Sequence, residues 1–408
     1  MAPAPASPPP VEGEVVEVAV HGIAGGGEGV GRAPDGRALF VAGALPGEEV
    51  RVAVTEVRRR HARGDLVEVL AAAPARRDPP CPHVADGCGG CDWQHVDEEA
   101  QRALRRTLVH DALVRIGRLT DPSVGAGPAL PTAAARTTVR AAVVDGRAGF
   151  RRRRSHEVVQ VGSCLVTHPA AEEVLVEGRF GDAAEVVVRV GARTGERLVV
   201  ASPTAEGVAV PGDVRVVGAD ELDAGTEAGI HEVLAGRTWW ASARSFLQAS
   251  PEAADALVAR VADAVAALAP DADRVVDLCA GIGLFAGTVA PRAAEVVAVE
   301  ASRDAVADAR RNLADAPVRV VRSTMARWRP EPTDVVVADP PRTGLGRDGV
   351  APVLASGAPA VVLVSCDAGA LGRDARLLVE GGYAFAGCEV LDPFPQTSHV
   401  EVVSRFHR

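Results

Sequence analysis

The stretch "RVVDLCAGIGLFAG", residues 274–287, decides the fold. Strand-forming residues carry Asp277 to the end of a short apolar run, which then meets a turn holding Gly281 and Gly283. Glycines at a strand end let a ligand approach the backbone, as at the carboxyl edge of an open α/β sheet. Further along, "EVVAVE" (295–300), "VRVV" (318–321), "DVVVAD" (334–339) and "AVVLVSC" (360–366) have the valine-rich character of buried parallel strands. The helical stretches "SRDAVADARRNLAD" and "ALGRDARLLVEGG" lie between them. This alternation predicts an α/β domain with a doubly wound, Rossmann-like sheet over residues 237–408.

Toward the N-terminus the rhythm is different. Residues 11–72 alternate short β-like runs with glycine turns such as "GGGEG" and "PDGR", which predicts a small OB-like β-barrel. Such barrels often bind oligonucleotides. The segment "AAAPARRDPPCP" marks a boundary. Residues 75–235 then read as a central α+β domain, with a helix near "EEAQRALRRTLVHDALVRIG" and antiparallel strands at "TTVRAAVV" and "HEVVQV". The opening "MAPAPASPPP" has neither a basic region nor an apolar core, so it reads as a short disordered lead rather than a signal peptide. No apolar run approaches the ~20 residues that cross a bilayer, so the expectation is a cytoplasmic protein with no membrane role.

Net charge is −10, yet all 44 basic residues are arginine and they bunch in "EVRRRHARG" and "GFRRRRSHE". The guanidinium fork suits phosphate, and a concentrated basic face matters more for nucleic-acid binding than total charge. Seven cysteines in a chain of this kind do not suggest structural disulfides. Cys81, Cys88, Cys91 and Cys164 form a four-thiolate set whose spacing admits either an iron–sulfur cluster or zinc. Cys279 and Cys388 read as packing residues.

Glu300 ends the second strand, 23 residues after Asp277, where an acidic group receives ribose hydroxyls. The Asp-x-x-x-Gly-x-Gly turn fits S-adenosylmethionine, whose cationic sulfonium favours acidic neighbours. Asp339, held by two following prolines, faces the donor or the substrate, and Arg342 in the same loop is a candidate substrate contact. Cys366 arrives at the same sheet edge. A thiolate there can attack carbon 6 of a pyrimidine, making carbon 5 nucleophilic enough to take a methyl group. The carbon-5 proton must then leave to a base, for which Glu401 is the candidate.

With these motifs in order, the chain resembles the RNA uracil-5-methyltransferases, which make 5-methyluridine in transfer and ribosomal RNA. "GEGVGRAPDGRALFVAGALPGEEVRV" is similar to their TRAM domain and "CPHVADGCGGCDWQH" to their iron–sulfur signature. "FLQAS", "DLCAGIGLFAG", "DPPRTG", "SCDAGALGRD" and "HVE" follow in the family's order. The resemblance implies Cys366 as nucleophile and Glu401 as base. It places Phe246 and Gln248 between methyl donor and target uracil, with Gly281, Glu300 and Asp339 in the donor site. It favours a 4Fe–4S cluster on the four cysteines, a structured RNA partner (rRNA or tRNA) and no obligate protein partner. The chain departs from the family at Ser250, at Cys279-Ala280-Gly281 and around "RSTMARW". Two other readings are an RNA cytosine-5 methyltransferase and a non-catalytic RNA-binding iron–sulfur protein. The first usually sets its cysteine after a proline on the fourth strand, where this chain has "DPPR".

Overall fold

The computed structural model describes residues 9–289 and 293–408. Most of the N-terminal lead therefore lies outside the described residues. The chain divides into two compact units. The first takes the residues up to Val84, with Cys91–Leu108 and Gln396–His399; the second takes Ala85–Gly90, Val109–Pro395 and Val400–Arg408.

The first unit is built on a six-stranded sheet, ordered Val15–Ala19, Glu49–Val57, His61–Ala71, Ala38–Ala42, Gly29–Arg32, Gly22–Ile23. Alternate residues point inward, so Val16, Val18, Leu39, Val41, Val50, Val52 and Val54 make one core. Register shifts at three places in the Glu49–Val57 and His61–Ala71 pair bend the sheet. At Gly31 a Cβ would lie 2.1 Å from Val18, so only glycine lets those strands approach. Buried Glu48 takes both arms of Arg76, at 2.5 and 2.7 Å, which ties the sheet to the chain leaving it.

The second unit holds two large sheets. One is ordered Val158–Gln160, Arg147–Arg151, Thr138–Val144, Glu185–Val190, Arg197–Ser202, Arg215–Gly218, antiparallel except for its last pair. Helix Pro169–Glu177 packs on it through Val174 and Leu175.

The other sheet is the doubly wound one. Its labelled strands are β1 (Arg274–Leu278), β2 (Glu295–Glu300), β3 (Val318–Arg322), β4 (Val335–Ala338), β5 (Ala360–Ser365), β6 (Ala384–Leu391) and β7 (Glu401–His407). Their order is β3-β2-β1-β4-β5-β7-β6, with Val124–Ala126 paired to the outer edge of β6. The first five are parallel and β7 runs against them. Helices α1 (Pro251–Leu268), α2 (Arg303–Asn312), α3 (Gly346–Ala355) and α4 (Ala368–Glu380) cover both faces.

Valines alternate between two cores, which explains why these strands read as continuous apolar runs. Val275, Val335, Val337, Val362 and Val364 pack with Leu257 and Val261 of α1. Val276, Val336, Val361 and Leu363 pack with Leu371 and Ala375 of α4.

Two features differ from the sequence reading. Val124–Ala126, from the supposed central segment, completes the C-terminal sheet, so residues on either side of position 236 share one compact unit. After β1, where a βα alternation would place a strand-to-helix turn, residues 279–289 form successive turns. Positive φ at Cys279 (70°), Gly281 (55°) and Gly283 (94°) takes this stretch out of the right-handed helical region.

Candidate active site

Strand order reverses between β1 and β4, and open sheets bind ligands at the carboxyl edge beside such a reversal. There β1, β2, β4 and β5 deliver Asp277, Glu300, Asp339 and Cys366, and antiparallel β7 starts at the same edge with Glu401. Ser365 pairs with Val402, so Cys366 and Glu401 face each other one step further along. Residues opposite each other in an antiparallel pair share a face.

These groups act on one another electrostatically. Burial pushes the Cys366 thiol up to about 11, the carboxylates of Glu401 and Asp339 push the same way, and Arg342 opposes them. Glu401, 5% exposed, is raised well above the ordinary carboxylate range by burial and then by Asp339. Burial lifts Asp339 to about 7. Asp277 also reaches about 7, by burial first and then by Asp339 and Glu300, against the N–H of Ala286. Cys279 is pushed up to about 12, so it stays a thiol.

The first turn is organised by backbone donors. Glu300 accepts from Gly281 N at 2.8 Å and, through its other oxygen, from Ala301 N and Ser302 N at 2.7 Å each. Asp277 accepts from Ala286 N at 2.8 Å through Oδ2, while its buried Oδ1 has no hydrogen-bond partner. No atom stands within 4 Å of where a Cβ on Gly281 would lie. On Gly283 that atom would meet Leu313 at 2.6 Å, so this glycine also serves packing. An orphaned carboxylate oxygen, open space over the turn and clustered acids suit a ligand carrying positive charge and hydrogen-bond donors.

Before α1, Phe246 is 66% exposed although Leu247 and Gln248 beside it are buried. Ser250 caps α1, its Oγ accepting from Ala253 N at 3.1 Å. The departure at position 250 thus supplies a helix cap.

Residues 11–67 match the TRAM domain and residues 252–355 the methyltransferase small domain. An uncharacterized RNA methyltransferase of Streptomyces avermitilis is 37% identical, covering 96% of this chain and 98% of its own length. The 23S rRNA (uracil(1939)-C(5))-methyltransferase RlmD of Chromohalobacter salexigens is 35% identical over 94% of this chain and 87% of its own. The chain belongs to the TRAM-domain RNA methyltransferases. The crystal structure of Pyrococcus abyssi tRNA (uracil-54, C5)-methyltransferase with S-adenosyl-L-homocysteine shares the fold. Its TM-score is 0.74 at 22% identity, covering 96% of this chain and 100% of that one.

As an RNA methyltransferase the chain uses S-adenosylmethionine, and the donor edge described above has the chemistry to receive it. Cys81 and Cys91 lie in the first unit, Cys88 and Cys164 in the second. Among the described residues no three His, Cys, Asp or Glu side chains form a group able to hold a metal ion. No described helix is long and apolar enough to cross a membrane.

One residue of this methyltransferase escaped the sequence reading. Buried Asp374 on α4 accepts from Leu345 N at 2.7 Å and Gly346 N at 2.9 Å. It thereby pins the loop after Asp339 to the helix that follows Cys366. The glycines at 344 and 346, both at positive φ, were the available sign of a loop needing an anchor.

Proposed function

We propose that this enzyme methylates carbon 5 of a uridine in structured RNA, rRNA or tRNA, through a covalent adduct between Cys366 and carbon 6. The observation that carries the reading is the facing placement of Cys366 and Glu401 beside Asp339 on one sheet edge. The uracil chemistry is also what the Chromohalobacter relative is named for.

S-adenosylmethionine supplies an electrophilic methyl on a cationic sulfonium. Asp277, Gly281, Gly283, Glu300, Asp339 and Gln248 would hold it, their acids complementing the charge. Phe246, exposed at the rim, stacks on the target base once that base leaves its helix. Gln248 and Arg342 orient it. The Cys366 sulfur adds to carbon 6, and the electrons moved to carbon 5 accept the methyl. Glu401 then takes the carbon-5 proton, and the re-formed double bond expels the sulfur. Raised affinity of Glu401 for protons suits that step, since a stronger base removes the carbon-bound proton more readily.

The N-terminal sheet and the arginine clusters grip the RNA backbone, leaving residues 237–408 to carry the chemistry and 75–235 to present the RNA. A 4Fe–4S cluster rests on the cysteine spacing and the resemblance alone, and the chemistry above does not use it. Iron and acid-labile sulfide in anoxically purified protein test that part.

The test of the main reading is RNA containing 5-fluorouridine. Fluorine cannot leave as a proton would, so the methylated adduct accumulates as a protein–RNA band stable to denaturing gels. Uridine RNA labelled by the wild type but not by Cys366→Ala supports the reading; labelling of cytidine transcripts instead would replace it with the cytosine chemistry.

A further inference from the structure

The loop that carries Phe246 is held by two buried charges that the chemistry above leaves unused. Arg189, on the strand Glu185–Val190, is 6% exposed, and Asp308, on α2, is 4% exposed. Arg189 Nη1 donates to Ser242 O at 2.8 Å and its Nη2 to Ser245 O. One oxygen of Asp308, Oδ2, accepts from Ser242 N at 2.9 Å, Ser242 Oγ at 2.8 Å and Ser245 Oγ at 2.5 Å. At the far end of the loop, Thr137 donates to Ala249 O through both N (3.0 Å) and Oγ1 (3.3 Å). Both ends are therefore fixed, and Phe246 between them is largely exposed.

Burying two ions is expensive, and a well-packed apolar pair serves stability as well or better. Here the hydrogen bonds of both ions go to Ser242 and Ser245, immediately before Phe246. Arg189 Nε is even left without a partner. A ring that is 66% exposed can be aimed only through its backbone, and this is the backbone the pair grips. Asp308 also stands on the helix that begins just after Glu300, so loop and donor-side acid are referenced to one rigid element.

We propose that Arg189 and Asp308 are positioning residues, a buried clamp that fixes the Ser242–Ser250 loop so that Phe246 meets the target base. This rests on the reading of Phe246 as the stacking partner of that base. The clamp acts through the ring, so its worth depends on the ring being present.

The experiment is a double-mutant cycle on the full chain. Methyl transfer from labelled S-adenosylmethionine is followed on total RNA from cells lacking the gene. The proteins are the parent, Asp308→Asn, Phe246→Leu and the double variant. Asp308→Asn is expected to lower kcat/KM for RNA by ~10-fold or more, with KM for S-adenosylmethionine changed less than ~3-fold. In the Phe246→Leu background the same substitution should cost less than ~3-fold, because the two effects share one path. Equal losses in both backgrounds, or none in the parent, overturn the clamp as a positioning device. If Phe246→Leu alone keeps full activity, the reading of Phe246 falls first and takes the clamp with it. Should Asp308→Asn fail to fold, Ser245→Ala removes one hydroxyl donor and runs the same cycle with both ions intact.

Discussion

Cys366 stands across from Glu401, one residue beyond the last paired positions of β5 and β7, Ser365 and Val402. The antiparallel turn of β7 at an otherwise parallel edge is what produces this. A parallel strand would deliver its carboxyl end there; β7 instead delivers its first residue, a carboxylate, to the strand end that carries the thiol. A nucleophile for one face of a ring and a base for the proton displaced from it need such adjacency.

Removing the base while keeping the nucleophile separates the two halves of the reaction. Glu401→Gln should form the adduct and transfer the methyl group, then stall, because the carbon-5 proton has no acceptor. A denaturation-resistant protein–RNA complex is expected with ordinary uridine RNA, and turnover should fall by ~100-fold or more. Cys366→Ala should give no complex at all. A Glu401→Gln enzyme that turns over normally without accumulating adduct would assign proton removal elsewhere.

Arg342 opposes the upward shift of the Cys366 thiol. The reactive form is the thiolate, and burial with two nearby carboxylates holds the thiol near 11 despite Arg342. Removing the guanidinium moves it further up, so less thiolate exists at any given pH. Asp339, near 7, and Glu401, higher than an ordinary carboxylate, must also ionise before either accepts a proton. Adduct formation should therefore rise from pH 6 to pH 9 in the parent. Arg342→Ala should lose ~10-fold at both pH 7.5 and pH 9.5, because both lie below the thiol's value and the thiolate fraction falls by the same factor at each. Single-turnover rates on 5-fluorouridine RNA measure this, and rates unchanged from the parent at both pH values would place Arg342 outside the thiol's field.

How much of this was legible beforehand depends on whether a residue's role is local. The strands of the doubly wound sheet were readable because burial on both faces fills them with valine and other apolar residues. The edge residues Asp277, Glu300, Asp339 and Cys366 were readable because each ends such a run. Asp308 and Asp374 were not: each sits inside a helix, where a lone acid reads as a solvated face until the neighbouring loop is known. Arg189 is hidden the same way inside a strand.

Asp277 gives a stability test that needs no substrate. Its folded value of about 7 lies above the ordinary 3.8, so the folded chain holds that proton more tightly than the unfolded chain. Its contribution to stability is full below pH 4 and is lost as pH rises toward and through 7. The gap corresponds to about 4 kcal/mol at most. Asp277→Asn keeps an oxygen for Ala286 N and carries no charge to bury. Its melting temperature relative to the parent should climb between pH 4 and pH 8, measured without ligand. A difference that stays flat or shrinks over that range would mean Asp277 is not held protonated by burial.

The arginine-rich hairpin should announce itself in the salt dependence of RNA binding. Strand Arg147–Arg151 turns back to Val158–Gln160 through residues 152–157, and Arg151, Arg152, Arg153 and Arg154 are all exposed. The turn is closed by Arg152 N donating to Glu157 O at 2.8 Å and by an exposed Arg152–Glu157 ion pair at 3.2 Å. Arg151 ends the strand and Arg152, Arg153 and Arg154 follow in the turn, a run of four exposed guanidiniums that suits RNA phosphates. Each phosphate contact releases counterions, so log K falls against log salt with a slope of about −0.7 to −0.9 per contact. Arg151→Ala and Arg154→Ala should each weaken binding alike for different RNA sequences and flatten that slope by ~1, with kcat at saturating RNA unchanged. An unchanged slope in both variants would move the phosphate grip away from this hairpin.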